Sequence, residues 1–195
     1  MLCEKANWII SKIKKEFGDD LQGEPFRFGS TEEGTALKEK YDIDISVSFK
    51  HDAFATIFDM YEILGDFLMN LEGKYDVLRV RKQTVSIGVF FDLGYGREGK
   101  LDIVPIKITN RKGNKTSGYL HKNSSDFFPI HSYQKTDPII LSKEKLSKTQ
   151  KEILIALKKW KKNKNVPISS HLLQNFIQDA YYCNSNRIPH GLTKR

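Results

Sequence analysis

The sequence has little cysteine: two residues in 195, Cys3 and Cys183, near opposite ends. There is no Cys-x-x-Cys pair, so neither a thiolate metal centre nor a redox motif is expected. The five histidines show no metal-binding spacing, which argues against zinc. No long hydrophobic run is present. The opening stretch MLCEKANWIISKIKKEFGDD places lysine inside its apolar residues, so neither a signal peptide nor a membrane span is expected, and the cytoplasm is the default compartment. Internal repeats and low-complexity segments are also absent. Acid is outnumbered, 24 Asp and Glu against 32 Lys and Arg, for a net charge of +8. A polyanionic partner, nucleic acid or the phosphates of a nucleotide, is the natural inference; a solubilising excess is the plain alternative. With 39% hydrophobic and 29% charged residues, the chain has enough apolar side chain for a globular core. Its length suits one domain, or one domain and an appendage.

Periodicity gives the elements. Ile9, Ile10, Ile13 and Phe17 recur at helical spacing and predict an amphipathic helix ending near Gly18. Residues 25–28 read as a short strand running into Gly29-Ser30, followed by a polar loop. Residues 42–49 alternate polar and apolar as a half-buried strand does. Phe54, Ile57, Phe58, Tyr61, Leu64 and Leu68 predict a helix over 53–71. Residues 84–91 and 100–108 read as strands joined by a glycine-rich hairpin turn at 94–99. That turn does not lead into a helix, so it is not read as a phosphate loop. Residues 110–141 are read as irregular. Ser147 and Gln150 fit a capping box for a helix whose apolar stripe is Ile153, Leu154, Leu157 and Trp160. Pro167 is read as opening a second helix with Leu172, Leu173, Phe176 and Ile177. The order predicts an α+β core over 1–141 and a helical segment over 142–195.

Three carboxylates stand out. Asp is disfavoured in strands, yet Asp42 and Asp44 lie in one with Ile43, Ile45 and Val47. Positions two apart share a face, so the two acids project together while the apolar residues enter the core. Adjacent carboxylates repel unless a cation lies between them, and magnesium favours oxygen ligands. Asp102 is a third acid in an apolar strand. From a neighbouring strand it would complete a two-metal site of the kind that clamps the attacking and leaving oxygens of an in-line displacement, and it would be placed to accept the proton of the attacking hydroxyl. The plain alternatives are solvated aspartates on an exposed strand face and an Asp102 paired with a lysine. Gly29-Ser30 ends one strand twelve residues before Asp42 opens the next. Glycine allows close approach of a phosphate, and serine adds a hydroxyl donor.

Gly-Ser, a spacer, Asp-x-Asp and a later third acid together resemble the nucleotidyltransferase superfamily that includes DNA polymerase beta. The chain is most similar to its oligonucleotide-synthesising branch: 2′-5′-oligoadenylate synthetase, cyclic GMP-AMP synthase and the bacterial CD-NTases of anti-phage defence. The loop Gly29-Ser30-Thr31-Glu32-Glu33-Gly34-Thr35 looks like that branch's Gly-Ser-x-x-x-Gly-Thr, and Leu101-Asp102-Ile103-Val104-Pro105 is similar to its third-acid strand. Leu157-Lys158-Lys159-Trp160-Lys161 and Ile168-Ser169-Ser170-His171-Leu172 look like its two helical motifs, and Thr136-Asp137-Pro138 resembles a tripeptide ahead of them. Ser170 and Leu173 depart from the motif, which usually has Tyr and Glu there.

The resemblance implies a polymerase beta-like core, a mixed sheet with flanking helices, plus a short C-terminal helical part that is incomplete relative to the family. It implies two magnesium ions, or manganese, on Asp42, Asp44 and Asp102, and a triphosphate held by Gly29 and Ser30 with Lys159 and Ser169. Beside these roles stand plain ones: Lys159 as one solvated lysine among the nine between residues 143 and 164, and Ser169 as an ordinary first-turn residue. The implied substrates are nucleoside triphosphates, ATP or GTP among them, and the implied products are short linear or cyclic oligonucleotide signals. Two other functions fit the same residues less closely: transfer of a nucleotide to tRNA, protein or a small molecule, and non-catalytic binding of nucleotide or nucleic acid through the lysine-rich surface. The sequence leaves the oligomeric state open.

Overall fold

The computed structural model describes residues 2–37, 42–109, 118–123, 131–136 and 146–185. The chain forms two compact units: Met1–Glu32 with Tyr41–Glu144, and Glu33–Lys40 with Lys145–Arg195. The short stretch after the Gly-Ser turn thus belongs with the C-terminal helices.

The first unit is a mixed sheet covered by helices. Helix α1 (Leu2–Phe17) buries Leu2, Ala6, Ile9, Ile13 and Phe17, the side chains that helical spacing gathers on one stripe. After a 3-10 turn the chain enters β1 (Phe26–Phe28), a single helical turn α2 (Gly29–Glu32) and β2 (Asp42–Phe49). Helix α3 (Ile57–Met69) starts one turn later than its apolar pattern predicts. Thr56 caps it: its side chain accepts from the Asp59 N–H, and Asp59 accepts from the Thr56 N–H, each at 2.9 Å. Strands β3 (Val77–Lys82), β4 (Ile87–Asp92) and β5 (Glu98–Ile108) follow.

The strand order is β1-β2-β5-β4-β3, with β6 (Gly118–Asn123) on β5 and β7 (His131–Thr136) on β6. Strands β2 and β5 are parallel and every other pair is antiparallel. Pro105 falls where β5 has passed its last partner on β4, at Ile103, and not yet met β6, at Lys107. A missing N–H costs no ladder bond on that side. The core lies on one face of the sheet, where Ile43, Ile45, Val47, Leu101, Ile103, Ile87 and Val89 meet α1 and α3.

Three strands depart from the sequence reading. β3 is missed because Val77 and Val80 alone are buried among Leu78, Arg79 and Arg81, a poor alternation at a sheet edge. β6 and β7 lie in the stretch read as irregular. The α+β class and the mixed sheet with flanking helices are as expected, and the hairpin turn at 94–99 joins β4 to β5.

The second unit holds α4 (Lys148–Asn163) and α5 (Ser170–Ser185). Ser147 and Gln150 form the expected capping box, with the Ser147 N–H on Gln150 Oε1 at 2.8 Å. The buried cluster is Leu146, Leu154, Leu173 and Ile177, with Leu157 and Ile168 beside it. Ile153 and Trp160, placed by the sequence on the apolar stripe, are 37% and 47% exposed. The covered face of α4 is instead Leu154 and Lys158, one turn apart. Asp137, Pro138 and residues 193–195 lie outside the described residues.

Candidate active site

The sheet register lines residues into rows. Phe28 stands opposite Asp44, Asp44 opposite Asp102, Asp102 opposite Gly88, and Gly88 opposite Arg81. The neighbouring row is Asp42, Lys100, Phe90 and Arg79. Residues two apart share a face, so Asp42, Asp44 and Asp102 all project from the side opposite the main core. All three are partly exposed. Farther along, the same face is closed by Val104, Ile106 and Ile108 with Phe28 and Leu120, so the acids stand at the rim of a smaller apolar cluster.

The Gly-Ser turn is fitted to these acids. Gly29 has φ of +76°. A Cβ there would lie 2.2 Å from Asp44 Oδ2, closer than any side chain tolerates. Glycine thus serves twice, by allowing the left-handed backbone and by admitting the carboxylate. Thr31 Oγ1 donates to the Asp42 carbonyl at 2.6 Å and ties the turn to the start of β2. Ser30 lies beside Gly29 in the turn, half-buried.

Asp102 is held by three side chains. Gln83 Nε2 and Ser86 Oγ donate to Oδ1 at 3.0 and 3.3 Å. Lys100 Nζ pairs with Oδ2 at 2.8 Å and reaches Gln83 Oε1 at 3.5 Å. Gly88 leaves the space for this: a Cβ on it would lie 2.3 Å from Gln83 Nε2. The turn carrying Gln83 and Ser86 is anchored from α3. The Tyr61 hydroxyl is shared between the Gln83 carbonyl at 2.5 Å and the Ser86 carbonyl at 3.0 Å. Tyr61 is fully buried, and burial pushes its phenol up to about 12. Sequence reasoning missed Gln83 and Ser86. Its plain alternative for Asp102, an acid paired with a lysine, is borne out by Lys100, which alternation puts on the face of the acid.

Among the described residues, no three His, Cys, Asp or Glu side chains are gathered into a ready metal site. The acids nevertheless suit a hard cation in kind and placement. Their donors are all carboxylate oxygens, two on one strand face and the third in register beside them. Asp102 is at the same time engaged with Lys100, Gln83 and Ser86.

The other two residues expected at the triphosphate belong to the second unit. Lys159 is exposed on α4. Ser169 is exposed, and its Oγ accepts from the Leu172 N–H at 3.1 Å, capping α5. The buried lysine of α4 is Lys158. Its ammonium donates to the Thr35 carbonyl and to Thr35 Oγ1, each at 3.0 Å, and Thr35 is itself buried. Burial holds the Lys158 pKa below its ordinary value, with the nearby Lys161 adding to the effect and Glu33 opposing it. Lys161 in turn donates to the Ile168 carbonyl at 2.8 Å and to Ser170 Oγ at 3.1 Å, which fixes the entry to α5.

A family model described as a nucleotidyltransferase domain matches residues 10–115, the span that carries Gly29, Asp42, Asp44 and Asp102. The chain belongs to this nucleotidyltransferase family. No curated protein matches the sequence. Among solved structures, CdnC of E. coli MS115-1, solved with ATP, is 22% identical with a TM-score of 0.60, and the match covers 88% of this chain and 55% of that one. The CdnE cyclic dinucleotide synthase of Elizabethkingia meningoseptica, solved with GTP and Apcpp, is 15% identical with a TM-score of 0.63, over 89% of this chain and 66% of that one. The STING-associated CdnE c-di-GMP synthase of Capnocytophaga granulosa is 18% identical with a TM-score of 0.53, over 86% and 55%. The nucleotidyltransferase fold of these CD-NTases is thus the fold of this chain, which spans about half to two thirds of their lengths. No described helix is long and apolar enough to cross a membrane.

Proposed function

We propose that the chain is a magnesium-dependent nucleotidyltransferase that joins nucleoside triphosphates into short linear or cyclic oligonucleotides, acting as a signal in anti-phage defence. One observation carries the reading: Asp42 and Asp44 share a strand face, and Asp102 is in register beside Asp44 on the adjacent parallel strand. The similarity in fold to cyclic dinucleotide synthases supports the choice of product, and the nucleotides in the related structures support triphosphate substrates.

Each residue has a part that its position explains. Asp42 and Asp44 would hold the magnesium that accompanies the triphosphate. Gly29 lets the turn pass close to Asp44, and Ser30 with the adjoining N–H groups would offer donors to the phosphates. Asp102 would serve as a third metal ligand and as the base that takes the proton of the attacking hydroxyl. Lys159 and Ser169 are the further residues proposed as phosphate ligands, each exposed in the second unit. Bound magnesium would supply charge stabilisation at the attacking and leaving oxygens of an in-line displacement. The cytoplasm is the compartment such a reaction would use, since the triphosphates are there.

The test is incubation of purified protein with all four labelled nucleoside triphosphates and magnesium, then manganese, with an Asp42→Ala/Asp44→Ala variant alongside. Small labelled oligonucleotides that disappear in the variant are the expected result. Label on added tRNA or protein, and none in small products, would move the acceptor and keep the chemistry. A folded protein that releases no pyrophosphate under any of these conditions would sink the proposal.

A further inference from the structure

Lys100 takes the fourth corner of the square whose other corners are Asp42, Asp44 and Asp102. It stands opposite Asp42 across the β2–β5 pair, and it lies two residues before Asp102 on the same side of β5. Its ammonium is 2.8 Å from Asp102 Oδ2, with the two side chains only 23% and 16% exposed. The Lys100 stem lies along the sheet, its Cε 3.2 Å from where a Cβ on Gly88 would be, and its ammonium is 5.9 Å from the centre of the Phe90 ring. A larger residue at 88 would displace it. The lysine is thus seated by the sheet itself, on an oxygen of one of the three carboxylates that would hold a divalent cation.

We infer that Lys100 is a resident counter-cation that competes with the divalent metal for Asp102, and so sets the metal concentration at which the three acids close into a site. The inference rests on the nucleotidyltransferase reading of those acids. With no metal bound, the lysine offsets carboxylates that would otherwise repel one another across the strand pair. When metal binds, Asp102 Oδ2 leaves Lys100, while Gln83 and Ser86 keep their hold on Oδ1 and preserve the orientation of the carboxyl group. A resident partner raises the apparent dissociation constant of an incoming ligand by the inverse of the fraction of time that the site is free to receive it. The charge of the lysine also opposes that of the metal.

The test is metal binding without nucleotide, followed by calorimetry with magnesium and by spin resonance with manganese, on the wild type, Lys100→Met and Lys100→Arg. Lys100→Met should bind both metals roughly tenfold more tightly. Lys100→Arg, which keeps the charge, should stay near the wild type. Thermal unfolding in chelator should show Lys100→Met less stable than the wild type, with magnesium recovering more of its midpoint than it adds to the wild type. If Lys100→Met is unfolded in chelator, magnesium should refold it, and failure to do so overturns the inference. So does unchanged or weaker metal affinity in a folded Lys100→Met. If Lys100→Met instead loses nucleotide affinity at unchanged metal affinity, the lysine is a phosphate ligand and the competition is refuted. An Asp42→Asn/Asp44→Asn control separates the two levels of the argument. Metal binding that survives it unchanged does not depend on Asp42 and Asp44, which defeats the parent reading and not only the role of Lys100.

Discussion

Asp44 and Asp102 stand directly opposite each other on the parallel strands β2 and β5, the only parallel pair in the described sheet. The chain inserts α3 and the β3–β4 hairpin between the two strands. Residues far apart in sequence therefore become neighbours with side chains on one face. Asp44→Asn and Asp102→Asn change one charge and almost no volume. Loss of an outer partner of a metal ligand costs about 10- to 100-fold in affinity or activity. Loss of a ligand should exceed that, so each variant should lose more than about 100-fold in turnover with an unchanged far-ultraviolet spectrum. Retained activity in Asp102→Asn would remove Asp102 from the site.

Gly29 makes a second prediction because its role is steric. Any L-residue there meets a left-handed backbone, worth about 1–2 kcal/mol, and in this chain its Cβ also meets the carboxylate of Asp44 at 2.2 Å. Gly29→Ala should lower the urea midpoint by an amount matching at least that strain and should weaken metal binding by displacing Asp44. The neighbour Ser30→Ala should do neither, and should act only on nucleotide affinity. A Gly29→Ala variant with wild-type stability and metal affinity would show that the turn is free to move.

The acids and the turn were legible because each breaks a local rule. Asp inside a run of Ile and Val, and Gly-Ser ending one strand before another begins, are poor choices for stability and so point to chemistry. The support around Asp102 was not legible. Gln83 and Ser86 lie in a turn of ordinary polar residues, and only the register of β4 on β5 brings them to the acid. Strands β6 and β7 were hidden because their residues, Gly-Tyr-Leu-His-Lys-Asn and His-Ser-Tyr-Gln-Lys-Thr, do not alternate in hydrophobicity. Pairing with a sheet already formed determines them.

Tyr61 links the core to the site, and its effect should depend on pH. Burial raises its pKa from 10.0 to about 12. In the folded state the proton is held where the unfolded chain would release it. The contribution is therefore complete below pH 10 and is lost as the pH rises from 10 towards 12. Tyr61→Phe removes both the hydroxyl and this dependence. Urea titrations at pH 8 should show the variant about 1 kcal/mol less stable, the usual net worth of a hydrogen bond, and the gap should close or reverse by pH 11. A gap independent of pH would mean that the phenol does not titrate as its burial dictates. In activity, the variant should resemble a loosened Asp102, with turnover falling more than substrate affinity.

Lys158 and Lys159 are neighbours in sequence with opposite surroundings, and their variants should separate cleanly. The 158 side chain is 7% exposed and satisfies both oxygens of Thr35. The 159 side chain is exposed. Lys158→Met keeps the stem and removes the ammonium, leaving two buried acceptors without their donor, at a cost of about 1–3 kcal/mol. Lys159→Met should change stability by less than about 0.5 kcal/mol. The pH dependence gives an independent check. Burial lowers the Lys158 pKa from 10.5, so at pH values between the folded pKa and 10.5 the unfolded chain binds more protons than the folded one. Stability gains from this group as pH rises through that window. Lys158→Met lacks the gain, so its deficit relative to the wild type should widen as the pH rises towards 10, before the tyrosine effect begins. If Lys158→Met is as stable as Lys159→Met at every pH tested, the clasp on Thr35 does not hold the second unit together.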